Sequence, residues 1–142
     1  MTKHVLCAVD LSHEDDAKAI VKEAARVAGY SDAALSVVTV IPDYGSSWVG
    51  SFFKEGTLAH AAEAASDRLH ALVDDTLPGH GKFQHIVQIG NVYEQVLHTI
   101  TDVDADLVVV GAHKPDLADR LVGPNASRIV RHCPVSVLVL RL

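Results

Sequence analysis

Five short apolar runs, separated by stretches with helical spacing, constrain this chain more than any other feature. The runs cover residues 4–9, 34–41, 83–89, 107–110 and 135–140. They are rich in β-branched residues and nearly unbroken, rather than alternating with polar ones. That is the pattern of strands covered on both faces, as in a parallel sheet. The third run, FQHIVQI, is the most polar of the five.

Helical periodicity fills the gaps. From Ser12 to Ala28, the residues Ala17, Ile20, Val21, Ala24 and Ala28 share one face. Ser12 with Asp15 makes a capping pair and Gly29 a stop signal. A second helix runs from Thr57 to Leu77, with Leu58, Ala61, Ala65, Leu69, Leu72 and Val73 as its stripe, and ends at Pro78-Gly79. A third follows Gly90, with Asn91 as N-cap, Glu94 three residues on, and Val92, Val96 and Ile100 facing inward. A fourth starts at Gly123-Pro124, where proline suits the first turn, and turns Ala126, Ile129 and Val130 inward. The order is βαβαβαβαβ. Right-handed crossovers turn it into an α/β fold, a doubly wound five-stranded parallel sheet with helices on both faces.

The chain has 142 residues and 49% hydrophobic composition, which suits one domain over 1–142 with a genuine core and argues against disorder. A net charge of −6 argues against general nucleic-acid binding, which needs a basic face. No apolar run is long enough to span a bilayer, and MTKHVLCAVD does not read as a signal peptide. The expectation is a soluble, cytoplasmic protein. Cys7 and Cys133 read as small buried residues rather than a disulfide. The nine histidines lack ligand spacing, so no structural metal is expected. Residues 42–56, PDYGSSWVGSFFKEG, form the one long irregular piece and carry Tyr44, Trp48, Phe52 and Phe53. A lid or contact surface and a self-packed loop are equally good readings of it.

Chemistry concentrates in residues 108–127, VVVGAHKPDLADRLVGPNAS. A buried strand ends near Gly111, a polar segment follows, and Gly123 precedes a helix start. The unpaired N–H groups of such a start, with the positive end of its dipole, favour an anion. In doubly wound sheets, ligands lie beyond the carboxyl ends of the strands, where the winding reverses. Asp10, Val40 and Gly111 all fall at such ends. Asp10 fits a ribose or metal contact better than a turn cap. His113 reads first as a solvated loop residue, and Lys114 and Arg120 as phosphate partners or solvated cations with equal weight.

The chain resembles the universal stress protein family over almost its whole length. The resemblance rests on Val9-Asp10 closing the first strand, TVIPD (39–43), GNVYEQVL (90–97) and above all GAHKPDLADRLVGPNASRIVRHCPVSVLVLR (111–141). It implies the adenine-nucleotide alpha-hydrolase-like fold with strand order 3-2-1-4-5. It also implies ATP, with or without Mg²⁺, bound residue by residue. Ala8, Val9 and Asp10 would lie against the adenosine, and Val40 would meet the adenine edge. Gly111, Ala112, His113 and Lys114, with Gly123, Pro124, Asn125, Ala126 and Ser127, would hold ribose and phosphates. The last strand, from Val135 to Leu140, resembles the family's homodimer edge, and exposed strand edges invite such pairing on physical grounds too.

The sequence departs from the family's loop in three ways: Lys114 replaces the second glycine, the spacer is one residue shorter, and Pro124 replaces a serine. These changes imply altered phosphate binding. No Walker loop or nucleophile turn is present, so the chain reads as a regulatory module with an unidentified protein partner and at most slow ATP hydrolysis. The alternative is a nucleotide-free dimeric stress protein acting through protein contacts. A phosphotransfer receiver is set aside, because the third strand ends Gln88-Ile89-Gly90 without a phosphorylatable Asp.

Overall fold

The structure, a computed structural model, describes residues 2–42, 55–79, 83–112 and 124–142, and the side chains of 55–57 and 124–125 are not among what it describes. Along the chain come β1 (His4–Val9), α1 (Glu14–Tyr30), β2 (Ala34–Pro42), α2 (Glu55–Thr76), β3 (Phe83–Gly90), α3 (Val92–Asp102), β4 (Leu107–Ala112), α4 (Pro124–His132) and β5 (Ser136–Arg141). The strands form one parallel sheet in the order β3-β2-β1-β4-β5. The alternation and strand order therefore match the expectation from sequence.

Strand geometry sends successive side chains to opposite faces, and each face of this sheet builds its own core. Val5, Cys7, Val9, Val37 and Val109 pack on α1 and α2, against Ala17, Ile20 and Val21 from α1 and Leu69, Leu72 and Val73 from α2. Leu6, Val38, Val108 and Val110 pack on α3 and α4, against Val96, Ile100, Ala126 and Ile129. Each large side chain so buried contributes about 1.5–3 kcal/mol against the entropy of ordering the chain. The valine runs are continuous because both faces are covered. Cys7 lies wholly inside, where burial pushes its thiol up to about 12, and Cys133 is half-buried; both are free thiols. No helix among the described residues is long and apolar enough to cross a membrane.

Several boundaries differ from the sequence reading. The α1 helix begins at Glu14 with His13 as its N-cap, and it makes no side-chain cap bond. Ser12 instead turns back, its N and Oγ both donating to Asp10 Oδ1 at 2.9 and 2.6 Å. Gly29 does not stop the helix, which runs on to Tyr30. Asn91 does cap α3, accepting from the Glu94 N–H at 3.1 Å. Val130 is 49% exposed rather than inward, because α4 rests on Ala126 and Ile129. The β4 strand runs two residues beyond Val110, because Gly111 and Ala112 pair with Leu140 and Arg141 of β5. Residues 43–54, with Tyr44, Trp48, Phe52 and Phe53, lie outside the described residues.

Candidate functional site

The chain winds outward from β1 through β2 to β3, then crosses back to place β4 on the other side of β1. The first elements beyond β1 and β4 therefore diverge, and they leave a crevice above the carboxyl ends of these two strands. Its volume is about 320 Å³. That lies within the usual range for a small-ligand site.

The floor is made by Ala8, Val9 and Asp10 of the β1 end and by Val110, Gly111 and Ala112 of β4. On the side of α3 and α4 the walls are apolar: Val38, Val40, Val92, Val96, Ala126 and Ile129. On the side of α1 they are mixed: His13, Asp16, Ala17 and Ile20, with Leu142. A flat apolar group fits the first side, and a polar one fits the ridge where Asp10 sits.

Asp10 is exposed at the rim, and the two hydrogen bonds it accepts among the described residues, from the backbone and hydroxyl of Ser12, fall on Oδ1. Among the described residues, no hydrogen bond falls on Oδ2. Burial pushes the carboxyl up, but the two Ser12 bonds and the His13 charge outweigh it and hold the group below the ordinary range. It is therefore an acceptor at neutral pH, and it serves both as the turn's anchor and as a rim acceptor.

Among the helix starts beside the crevice, those of α1 and α4 differ most in charge. The first turn of α1 carries Glu14, Asp15 and Asp16. These acids satisfy the positive end of its dipole and repel a second anion. The first turn of α4 carries none, and the basic Arg131 and His132 lie in its last turn. An anionic group on a bound ligand is therefore favoured towards α4.

The structure brings together Ala8, Val9, Asp10, Val40, Gly111, Ala112 and Ala126 from the sequence-derived set, all in the lining of one crevice. It does not bring Ser127 there. Ser127 is exposed and lines a second hollow with Val130, Arg131, Val139 and Arg141 on the outer flank of α4 and β5. Pro124 and Asn125 stand in the first turn of α4. His113, Lys114, Arg120 and Gly123 lie outside the described residues. Gly111 also has a packing role. A Cβ there would come within 2.7 Å of the δ-methyls of both Ile20 and Leu142, so α1 and Leu142 close onto the space a side chain would need.

Sequence reasoning missed His13 at the N-cap of α1, Asp16 and Ile20 of α1, and Val92 and Val96 of α3, as crevice residues. Their helical stripes were legible, but the gap between two helices is set by the sheet. For His13 and Asp16 a signal existed, since both closely follow Asp10 in sequence. Among the described residues, no group of three His, Cys, Asp or Glu side chains is arranged to hold a metal ion.

The family model described as "Universal stress protein family" matches residues 1–141. Universal stress protein G of Shigella flexneri is 27% identical over 147 residues, covering 99% of this chain and 100% of that protein. Among solved structures, a universal stress protein in complex with cAMP superposes with TM-score 0.62 at 22% identity, covering 99% of this chain and 97% of that one. The universal stress protein of Archaeoglobus fulgidus in complex with dAMP does so with TM-score 0.63 at 20% identity, covering 96% of both chains.

Proposed function

This chain belongs to the universal stress protein family, and from that premise we propose that it is a regulatory module binding an adenine nucleotide, ATP with or without Mg²⁺, in the crevice between β1 and β4. The observation that carries the reading is the crevice itself. Its apolar half, walled by Val38, Val40, Val92 and Val96, suits a purine face. Asp10 Oδ2 is positioned to accept from ribose hydroxyls at the rim. The acid-free start of α4 suits the phosphates. The complexes of related proteins with cAMP and dAMP support the same class of ligand.

The working unit in this proposal is a homodimer paired through β5. That strand lies at a sheet edge, its four central residues are only partly buried, and exposed Val130 stands beside Val139 in the neighbouring hollow. Pairing would cover this edge.

Isothermal titration of the purified chain with ATP, AMP and cAMP tests the reading. Saturable binding with a Kd below the millimolar range is expected, and Ala8→Phe, which fills the apolar floor, should abolish it while sedimentation still shows a dimer. Absence of binding of all three at millimolar concentration would replace it with the nucleotide-free dimer.

A further inference from the structure

The carboxyl-end crevice leaves one cluster of titratable groups unused. It lies where α2 packs on the edge strand β3. The ring of His70, exposed on α2, stacks on the half-buried ring of His85 of β3, with centroids 3.6 Å apart and planes inclined by 27°. Phe83 meets the same His85 ring edge-on at 6.4 Å. Among the described residues, His85 Nε2 is the one buried side-chain nitrogen or oxygen without a hydrogen-bond partner.

The surroundings of His85 come from three elements. From α2 come His70 and the carboxylate of Asp74. From β3 comes Phe83. From β2 comes Val37, its register partner, wholly buried and without charge. The α3 helix packs on the opposite face of β3, where Ile86 points. A neutral imidazole stacks in this setting at the cost of one unpaired nitrogen, which is smaller than that of an unpaired charge. A protonated one gains a charge with no acceptor at Nε2 among the described residues.

The other attachments of α2 are of a different kind. Arg68 Nη2 donates to the Leu11 carbonyl at 2.8 Å, and Lys18 Nζ lies 2.8 Å from Asp75 Oδ2. Both tie α2 to α1 or to the loop before it. The Lys18 bond holds the Asp75 carboxyl below its ordinary range, so this pair survives mild acid.

We propose that the α2–β3 seam is an acid-sensitive clasp, in which protonation of His85 within its stack on His70 frees α2 from the edge strand while its contacts with α1 still hold. Burial first, and the charge of His70 second, push His85 below its ordinary value of 6.5, with Asp74 opposing. A histidine depressed in the closed state takes its proton more readily in the open one. The clasp is therefore fully shut above 6.5 and loosens as the pH falls from there through the closed-state value. Opening would bare the edge of β3 and the face over Leu72 and Val73.

Hydrogen–deuterium exchange of the full chain at about pH 7.5 and about pH 5.5, corrected for intrinsic rates, reads the opening directly. In peptides covering 69–79 and 83–89, the opening constant should rise by up to about tenfold for each pKa unit separating open and closed states. Peptides covering 124–142 should not change. His85→Gln should erase the rise and His70→Gln should reduce it. Should His85→Gln fail to fold, the ring C2–H titration of the wild-type chain by NMR takes its place, with a His85 midpoint below 6.5 expected. Equal opening at both pH values, an undiminished rise in His85→Gln, or a His85 midpoint at or above 6.5 would overturn the proposal.

Discussion

The two ends of the sheet solve opposite problems. At the amino ends of the strands, polar groups are matched with one another. His4 Nε2 lies 2.7 Å from Ser36 Oγ, which donates to Gln84 Oε1 at 3.2 Å, so three neighbouring strands are bridged by side chains. Asp106 accepts from the backbone of Lys3 and His4, and Ser31 Oγ donates to the Thr2 carbonyl. At the carboxyl ends, β1 and β4 part company with their helices, and the crevice keeps Asp10 at its rim. One end is locked by its own hydrogen bonds, and the other keeps space and an acceptor for something else. Their difference follows from winding: the chain leaves β1 towards β2 and later returns to place β4 on the other side of β1, and the helices after β1 and β4 lie on opposite faces.

The largest expected effect breaks the open end at its hinge. Gly90 joins β3 to α3 with φ 143°, a conformation side chains rarely adopt, and a Cβ there would stand 2.9 Å from Gln95 Nε2. Gly90→Ala should cost about 2–3 kcal/mol, read from urea unfolding. It should also disturb the crevice wall that Val92 and Val96 supply, lowering nucleotide affinity in the same variant. A loss of stability with unchanged affinity would show that the wall does not depend on this turn.

At the locked end the matching prediction concerns stability alone. Ser36 is fully buried, and Ser36→Ala removes the hydroxyl that links His4 to Gln84. A cost of about 1–2 kcal/mol in thermal unfolding is expected, with ligand titration unchanged. Any change in affinity would mean that the two ends are coupled through β2, against the division drawn above.

The sequence made the alternation of strands and helices and both cores legible, because valine runs and helical stripes are local patterns that burial enforces; the strand order came only with the family resemblance. It could not show where β4 ends. Gly111 and Ala112 belong to the strand only because β5 lies beside them, and that pairing joins residues 29 positions apart. Val130 fits a helical stripe as well as Ile129 does, and only the seating of α4 decides between them. Asp10, Val40 and Ala126 could be named from strand ends and helix starts. Ala17 and Ile20 on the α1 side could not, since they reach the crevice only once α1 lies across β4. The His70–His85 stack was invisible for the same reason: no periodicity connects a helix residue to a strand residue across a turn.

A smaller effect contrasts the carboxylates of the two ends. Hydrogen bonds from the Lys3 and His4 backbone hold Asp106 below its ordinary value of 3.8, and at Asp10 the Ser12 bonds do so against the opposing pull of burial. A carboxyl depressed in the folded state gives stability that is present above its ordinary value and lost as the pH falls through the folded one. Both Asp106→Asn and Asp10→Asn should flatten the loss of stability below about pH 4. Only Asp10→Asn should also weaken nucleotide binding at neutral pH. Unfolding midpoints from pH 3 to 6, beside titrations at pH 7, separate the two outcomes.

The smallest effect lies in the turns that feed the locked end. After α1 and α3 the chain reverses through Asp32 at φ 53° and Asp104 at φ 55°. In each turn an N–H reaches five residues back, Ala33 to the Ala28 carbonyl at 2.8 Å and Ala105 to the Ile100 carbonyl at 3.0 Å. This is the Schellman closure, whose left-handed position glycine fills most easily. Aspartate tolerates that conformation at a cost of roughly 1–2 kcal/mol, while glycine adds about 0.4–1 kcal/mol of unfolded-state entropy. Asp104→Gly should therefore stabilise the chain by about 0.5 kcal/mol, and Asp32→Gly by a similar amount. Because both turns lie at the end of the sheet away from the crevice, the gain should come without loss of nucleotide affinity. If affinity fell with either change, strain in these turns would be part of what shapes the crevice at the far end of the same strands.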